Sequence, residues 1–324
     1  MPLHVHFADP ADPDVISALV RELSAAVTLT SGPVIAPEAE VLVAPEPTAA
    51  QLAAAPHLRA VVAPYTGISP TARQVMLAHP HLSLHNSRWP AIPTAEGALT
   101  LLLAATKFVL PADRAFRQHD WTTRYAPSPS ILLHGKTALV LGFGAIGQTI
   151  GRMCHALGMH VIGVRRRAGA LALDYLAQVH AVADLPTLLP QASILIVSLP
   201  LTEATKGLIT AEHLRRLARP AFLVNVGRGP VIDEAALYQA LRDGTLTAAG
   251  LDVWYNYPST ADEYAHTPPS AHPFHELDNV VMSPHRIDLV REHNGRLVAE
   301  LAETLNRAAQ GEPLRHRVDV EAGY

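Results

Sequence analysis

Six residues constrain this chain more than any others: Gly142-Phe143-Gly144-Ala145-Ile146-Gly147. They stand between the apolar run Ala138-Leu139-Val140-Leu141 and a stretch that reads as a helix to Leu157. Glycines at this spacing are a weak signal alone; a strand before and a helix after give them meaning. Gly142 permits a tight turn and Gly144 lets backbone approach a pyrophosphate. Gly147 lets helix and strand pack closely, and the helix N-terminus offers free N–H groups and a positive dipole. A dinucleotide cradle over residues 142–147, with Phe143, Ala145 and Ile146 between the glycines, is the expectation.

The next strand selects the dinucleotide. An acidic residue at its end would accept from a ribose 2′-hydroxyl and repel a 2′-phosphate. After His160-Val161-Ile162-Gly163-Val164 the chain has Arg165, Arg166 and Arg167 instead. Guanidinium groups make charge-assisted, often bidentate bonds to phosphate. NADP is therefore expected over NAD.

Around this turn the chain alternates strand and helix, which implies parallel, doubly wound sheets. Leu3 to Phe7, Glu40 to Val43, Leu58 to Val62 and Leu82 to His85 read as strands. A helix capped by Asp12-Pro13 runs to about Ser24, and further helices start at Thr48 and Pro70. A long helix is predicted over Thr94–Leu110, with Glu96 in its first turn, and a second over Pro111–His119. Tyr125 to Gly135 reads as a connector. The second strand series is Thr137–Leu141, His160–Val164, Ile194–Ser198, Phe222–Asn225, Ala248–Leu251 and Val280–Met282, with Asp184, Thr210 and Asp233 as N-caps between them. One amphipathic helix covers Asp288 to about Gln310 and is expected to pack back on the first unit. The 324 residues suit two domains. The expected division is 1–92, 93–284 and a returning segment 285–324.

Composition excludes several classes. With 49% hydrophobic and 17% charged residues the chain is not intrinsically disordered. A net charge of −4 offers no basic surface for nucleic acid or anionic lipid. The single cysteine, Cys154, forms neither an internal disulfide nor a zinc site by itself; no metal is expected. No apolar run reaches a membrane span of about 18 residues, and Met1 to His6 lacks the regions of a secretory leader. A cytoplasmic protein is expected.

Four further stretches follow the glycine turn in order: Ser198-Leu199-Pro200-Leu201-Thr202-Glu203-Ala204-Thr205, Asn225-Val226-Gly227-Arg228-Gly229-Pro230-Val231-Ile232-Asp233-Glu234, Gly250-Leu251-Asp252-Val253-Trp254 and Ser283-Pro284-His285. With them, the chain resembles the D-isomer-specific 2-hydroxyacid dehydrogenase family over nearly its whole length. The resemblance implies an α/β fold of two doubly wound parallel-sheet domains, a Rossmann cofactor domain inserted into a flavodoxin-like substrate domain. It also implies a site in the cleft between the domains, and a homodimer formed through the region of Thr94–Leu110.

For the site, the resemblance implies that Arg228 binds the substrate carboxylate and polarises the keto group. A guanidinium suits this, since its fork matches a carboxylate and it keeps its proton. His285 exchanges a proton with the substrate oxygen; an imidazole with a pKa of about 6.5 can do so in both directions. Tyr65, Thr66 and Gly67 form the loop whose N–H groups hold the substrate. Thr94, Ser198, Leu199, Pro200, Thr205, Val226, Gly227 and Asp252 line the cofactor.

Three departures stand out. The family places a Glu five residues after the Asp, before a Pro; here that position is Tyr257, before Pro258. A neutral phenol can orient His285 but does not stabilise its charged form; Asp262 or Glu263 could swing in from the following loop to supply a carboxylate. The segment from Ser259 to His272 is longer than usual, and either shapes the pocket or is a passive insertion. Arg286 follows His285 and offers a second positive charge beside Asp288. The expected activity is hydride transfer between NADPH and a small 2-keto acid such as glyoxylate or hydroxypyruvate. Two alternatives stay open: a non-catalytic NADP(H)-sensing protein, and a formate-type dehydrogenase that needs no proton-transfer dyad.

Overall fold

The computed structural model describes residues 2–8, 12–169, 173, 175 and 177–323, with backbone alone for 177 and 178. It divides into two units, residues 1–91 with 289–324, and residues 92–288.

The first unit is one parallel sheet: β1 (Leu3–Ala8), β2 (Val27–Gly32), β3 (Val41–Val43), β4 (Ala60–Ala63) and β5 (Ser83–Asn86), in the order β2-β1-β3-β4-β5. Successive side chains of a strand face opposite sides, so both faces need cover. Val41, Val43, Ala60 and Val62 face one core with Leu297, Leu301 and Leu305 of the helix His293–Ala309. Leu42 and Val61 face the other, with Leu52 and Met76. The returning helix also packs on the helix Pro13–Glu22. It begins at His293, not Asp288. The strand β2 escapes the sequence pattern because it lies at the sheet edge, where Thr28, Thr30 and Ser31 are tolerated.

The second unit holds β6 (Thr137–Leu141), β7 (His160–Arg165), β8 (Ala177–Ala181), β9 (Ile194–Val197), β10 (Phe222–Asn225), β11 (Ala248–Leu251) and β12 (Val280–Met282). All pair in parallel, in the order β12-β11-β10-β9-β6-β7-β8. This is the Rossmann order with one strand added, and the winding reverses between β6 and β9, where such sheets place ligands. The edge strand β8 was not foreseen.

The predicted helix over Thr94–Leu110 is two helices, Ala91–Thr106 and Val109–Phe116. Phe108 sits between them at φ +51°, a left-handed conformation that ends an α-helix. Each helix starts two residues before a proline, Pro93 and Pro111. A first-turn N–H has no intrahelical partner, so the ring costs no bond there, and Glu96 falls outside the first turn. The first helix buries Ala95, Ala98, Leu101, Leu102 and Ala105 in the core of its unit. The two meet at 65°, and no single described helix is long and apolar enough to cross a membrane. His285 to Asp288 stay with this unit rather than the returning segment. A Cβ on Gly97 would lie 2.3 Å from Ile287 Cβ, which shows how closely that stretch packs on the helix.

Candidate active site

The carboxyl ends of the strands in the second sheet collect the candidate residues. After β6, Gly142 has φ +103°, and a Cβ there would lie 2.7 Å from the Ser198 carbonyl carbon. A Cβ on Gly147 would lie 2.2 Å from the Gly142 oxygen. Both positions exclude other residues by contact with backbone. Gly144 differs: nothing stands within 4 Å of its Cβ position. It precedes the helix Ala145–Ala156, whose N-terminus no side chain caps. Open space above unpartnered N–H groups fits a pyrophosphate. Phe143 enters this turn with its side chain turned inward. Its ring is buried against Gly151 and Gly163, so only its backbone can face a cofactor. Ile146 likewise leans on the core.

Arg165 ends β7, and the N–H groups of Gly142 and Phe143 both donate to Val164 O at 2.9 Å, which seats it beside the glycine turn. Its Nε is buried without a hydrogen-bond partner. Its Nη2 leans on Gly169 O at 3.5 Å, a long contact, so the charged end of the side chain stays at the strand end where a 2′-phosphate would sit. Arg166 and Arg167 are exposed. After β9, Ser198 Oγ donates to Gly142 O at 2.8 Å. Thr205 Oγ1 accepts from Thr202 N–H and donates to Pro200 O at 2.7 Å, which stiffens the loop. A Cβ on Gly227 would lie 2.5 Å from Leu199 O. Val226 N–H donates to Val197 O at 2.9 Å. Thr94 is buried within the helix Ala91–Thr106.

The chemistry-bearing side chains come next. Arg228 follows β10, with Nη1 donating to Gly227 O at 2.7 Å. Asn225, buried, braces this turn from within: its Oδ1 accepts Gly227 N–H at 3.0 Å and its Nδ2 donates to Arg228 O at 3.2 Å. His285 follows β12 at φ +54°. It keeps solvent access, yet the surrounding protein lowers its pKa; the Arg228 guanidinium acts the same way, and Asp252 and Asp288 oppose them. Arg228 and His285 therefore stand within electrostatic reach of each other. Tyr257 presses its ring edge-on against His285, with centroids 5.6 Å apart. Its oxygen accepts Trp254 N–H at 3.1 Å. Burial, aided by Asp252, raises the phenol pKa against the opposing Trp254 N–H and Arg228, so it stays neutral. Asp252, buried at 2% exposure, accepts Ser283 Oγ at 2.5 Å and Arg286 N–H at 3.0 Å on one oxygen.

The model for the D-isomer specific 2-hydroxyacid dehydrogenase NAD binding domain matches residues 99–286, more than half of the chain. The chain belongs to that family. It is 34% identical over 226 residues to a glyoxylate reductase of Korarchaeum cryptofilum, covering 68% of this chain and 63% of that one. It is 33% identical over 302 residues to a D-3-phosphoglycerate dehydrogenase of Mycobacterium leprae, covering 89% and 52%. The chain thus spans between half and two thirds of these curated relatives. A D-isomer specific 2-hydroxyacid dehydrogenase of Xanthobacter autotrophicus Py2, solved in complex with NADPH and MES, superposes over the full length of both chains with a TM-score of 0.80 and 26% identity.

Within this dehydrogenase-family chain, neither Asp262 nor Glu263, the carboxylates that could have swung in from the insertion, acts on the imidazole. Glu263 closes its own turn by accepting Ser259 N–H at 2.6 Å; the acids acting on His285 are Asp252 and Asp288. The far end of the insertion is fastened down. Ser270 Oγ and Ala271 N–H donate to Glu234 Oε1 at 2.6 and 2.8 Å, and His272 stacks on Tyr238 at 5.0 Å. Tyr257 touches His285 through its ring, not through its hydroxyl. Asn225, Ser283 and Trp254 were not singled out as site residues. An Asn at a strand end before a glycine was the one available signal, since its amide can bond its own turn.

The turn Tyr65-Thr66-Gly67 follows β4 in the first unit. Ser87 N–H donates to Tyr65 O at 3.2 Å and Asn86 Nδ2 to Thr66 O at 2.7 Å. Thr66 Oγ1 is buried without a partner.

Proposed function

We propose that this chain is an NADP(H)-dependent oxidoreductase that interconverts a small 2-keto acid, such as glyoxylate or hydroxypyruvate, and its D-2-hydroxy acid. The observation behind this reading is the electrostatic proximity of Arg228 and His285 at the carboxyl edge of a sheet with an open glycine cradle. The glyoxylate reductase relative and the NADPH-bound neighbour support it. When bound, NADPH supplies the hydride. Residues 142–147 and the helix N-terminus hold the pyrophosphate, and Arg165 with Arg166 and Arg167 hold the 2′-phosphate. Gly227 and the Ser198-Leu199-Pro200 loop, stiffened through Thr205, form the floor beyond them, with Thr94, Val226 and Asp252 at its margin.

Arg228 grips the substrate carboxylate with two parallel bonds and draws electron density from the adjacent carbonyl. Protonated His285 gives its proton to the carbonyl oxygen as the carbon is reduced. Tyr257 walls the imidazole and adds no charge. The N–H groups of the Tyr65-Thr66-Gly67 turn are assigned to substrate binding. A homodimer is assigned to the region of Thr94–Leu110, where Val109 and Leu110 are exposed apolar side chains.

The deciding assay mixes NADPH with a panel of 2-keto acids and follows absorbance loss. Turnover that disappears in His285→Asn is expected; tight NADPH binding with no turnover of any keto acid overturns the reading. One observation favours a second reading. Among the described residues no hydrogen bond reaches the His285 ring, and Tyr257 gives it no charge. That suits a reaction moving no proton, such as formate oxidation, or a protein that senses NADP(H) without turnover.

A further inference from the structure

One buried carboxylate is bonded to both sides of the residue proposed as the acid. Asp252 Oδ1 accepts the Ser283 hydroxyl at 2.5 Å and the Arg286 N–H at 3.0 Å, two residues before His285 and one after. Between these anchors His285 adopts φ +54°, a region that side chains other than glycine rarely enter. Such a conformation persists only where the surroundings over-determine it. The turn has no glycine to ease it, so tertiary bonds must hold it. Trp254 Nε1 adds a bond to Ser283 O at 2.8 Å, and Ser283 N–H another to Leu251 O at 2.8 Å.

Asp252 is itself placed by the residue that braces Arg228. Its N–H donates to Asn225 O at 3.0 Å, and the Asn225 side chain holds Gly227 and Arg228. A continuous set of bonds thus runs from the Arg228 turn through Asn225 and Asp252 to the His285 turn.

We infer that Asp252 is a positioning residue for His285, acting through the Ser283 hydroxyl and the Arg286 N–H to hold the imidazole in register with Arg228. The resemblance had assigned Asp252 to the cofactor; one of its oxygens is committed to this turn. The inference rests on the proposed role of His285. It also predicts that Ser283, which touches neither Arg228 nor the His285 ring by hydrogen bond, matters for the reaction.

The test uses Ser283→Ala and Ser283→Thr in the full chain. Misplacement of a reacting group by about 1 Å costs up to roughly 100-fold. Ser283→Ala should lower kcat with glyoxylate about 10- to 100-fold while NADPH affinity, read by quenching of protein fluorescence, changes less than about twofold. Ser283→Thr, which keeps the hydroxyl, should recover most of the loss. Imidazole titration by NMR supplies a readout without turnover. Burial, to which the Tyr257 ring contributes, and Arg228 lower the imidazole pKa, while Asp252 and Asp288 raise it; burial is the largest of these, so a ring that swings out to solvent in Ser283→Ala should titrate at higher pH. Unchanged kcat with unchanged titration overturns the inference, as does an NADPH loss that parallels kcat. If the parent protein reduces no keto acid, the proposed activity fails, and the titration still decides the positioning role.

Discussion

The rings of Tyr257 and His285 meet edge to face at 61°, while the phenol oxygen accepts the N–H of Trp254. The imidazole thus has an aromatic wall where a carboxylate would hold its proton. Desolvation and Arg228 lower its pKa, and Asp252 and Asp288 only partly oppose them. The protonated form is then a stronger acid but a scarcer one at neutral pH.

The pH dependence follows in sign. In the proposed mechanism reduction needs protonated His285, so kcat/KM for a keto acid should fall as pH rises through a value below the ordinary imidazole pKa of about 6.5. Tyr257→Glu places a negative charge beside the ring and should move that limb upward by about one unit, extending reduction toward alkaline pH. A pH–rate profile from pH 5 to 9 checks both; coincident profiles for the two proteins would remove Tyr257 from the account.

Arg165→Asp should separate the two nicotinamide cofactors. It removes a charged donor and adds a charge that repels the 2′-phosphate. A hydrogen bond to a charged group contributes about 1.5–3 kcal/mol, so NADPH affinity should drop about 10- to 100-fold. NADH should bind as well or better. Equal losses, measured by titration calorimetry, would discard the phosphate assignment.

Of the three glycines in the turn, Gly144 should respond to alanine differently from Gly142 and Gly147. Gly147→Ala pushes a methyl group against the Gly142 oxygen, 2.2 Å away, and overpacking of this kind costs about 1–3 kcal/mol. Its melting temperature should fall. Gly142→Ala should lower it also, since φ +103° suits glycine alone. Gly144→Ala meets nothing within 4 Å; it should melt near the parent temperature yet lose dinucleotide affinity, because the methyl group fills the cradle. Scanning calorimetry with and without NADPH distinguishes the cases.

Arg228→Lys keeps the charge and loses the fork. With one bond in place of two, kcat/KM for glyoxylate should fall about 10- to 100-fold, at about 1.5–3 kcal/mol per charged bond. Unaltered kcat/KM in steady-state assays would show that the carboxylate is held elsewhere.

Much of this protein can be read along the chain. The cradle at 142–147 is local: its turn, its close approach and its helix start depend on residues within six positions of one another, and backbone sterics decide them. The two parallel sheets follow from alternating patterns that persist over short spans. Of the edge strands, β5 and β12 carry an apolar signal, while β2 and β8 do not, because an edge needs little apolar surface; the break at Phe108 escapes because nothing in its identity marks a left-handed residue.

The relationships that shape the candidate site belong to another class. Asp252 and Ser283 are 31 residues apart, and Asn225 reaches Asp252 only because β10 and β11 lie side by side. Glu263 could be imagined on the imidazole until the fold turned it onto Ser259. Sequence by itself determined which backbone segments could turn tightly and which would be buried, since these depend on near neighbours. Only the tertiary structure decided which polar side chains meet, because hydrogen bonds form between groups that packing brings together, whatever their distance along the chain.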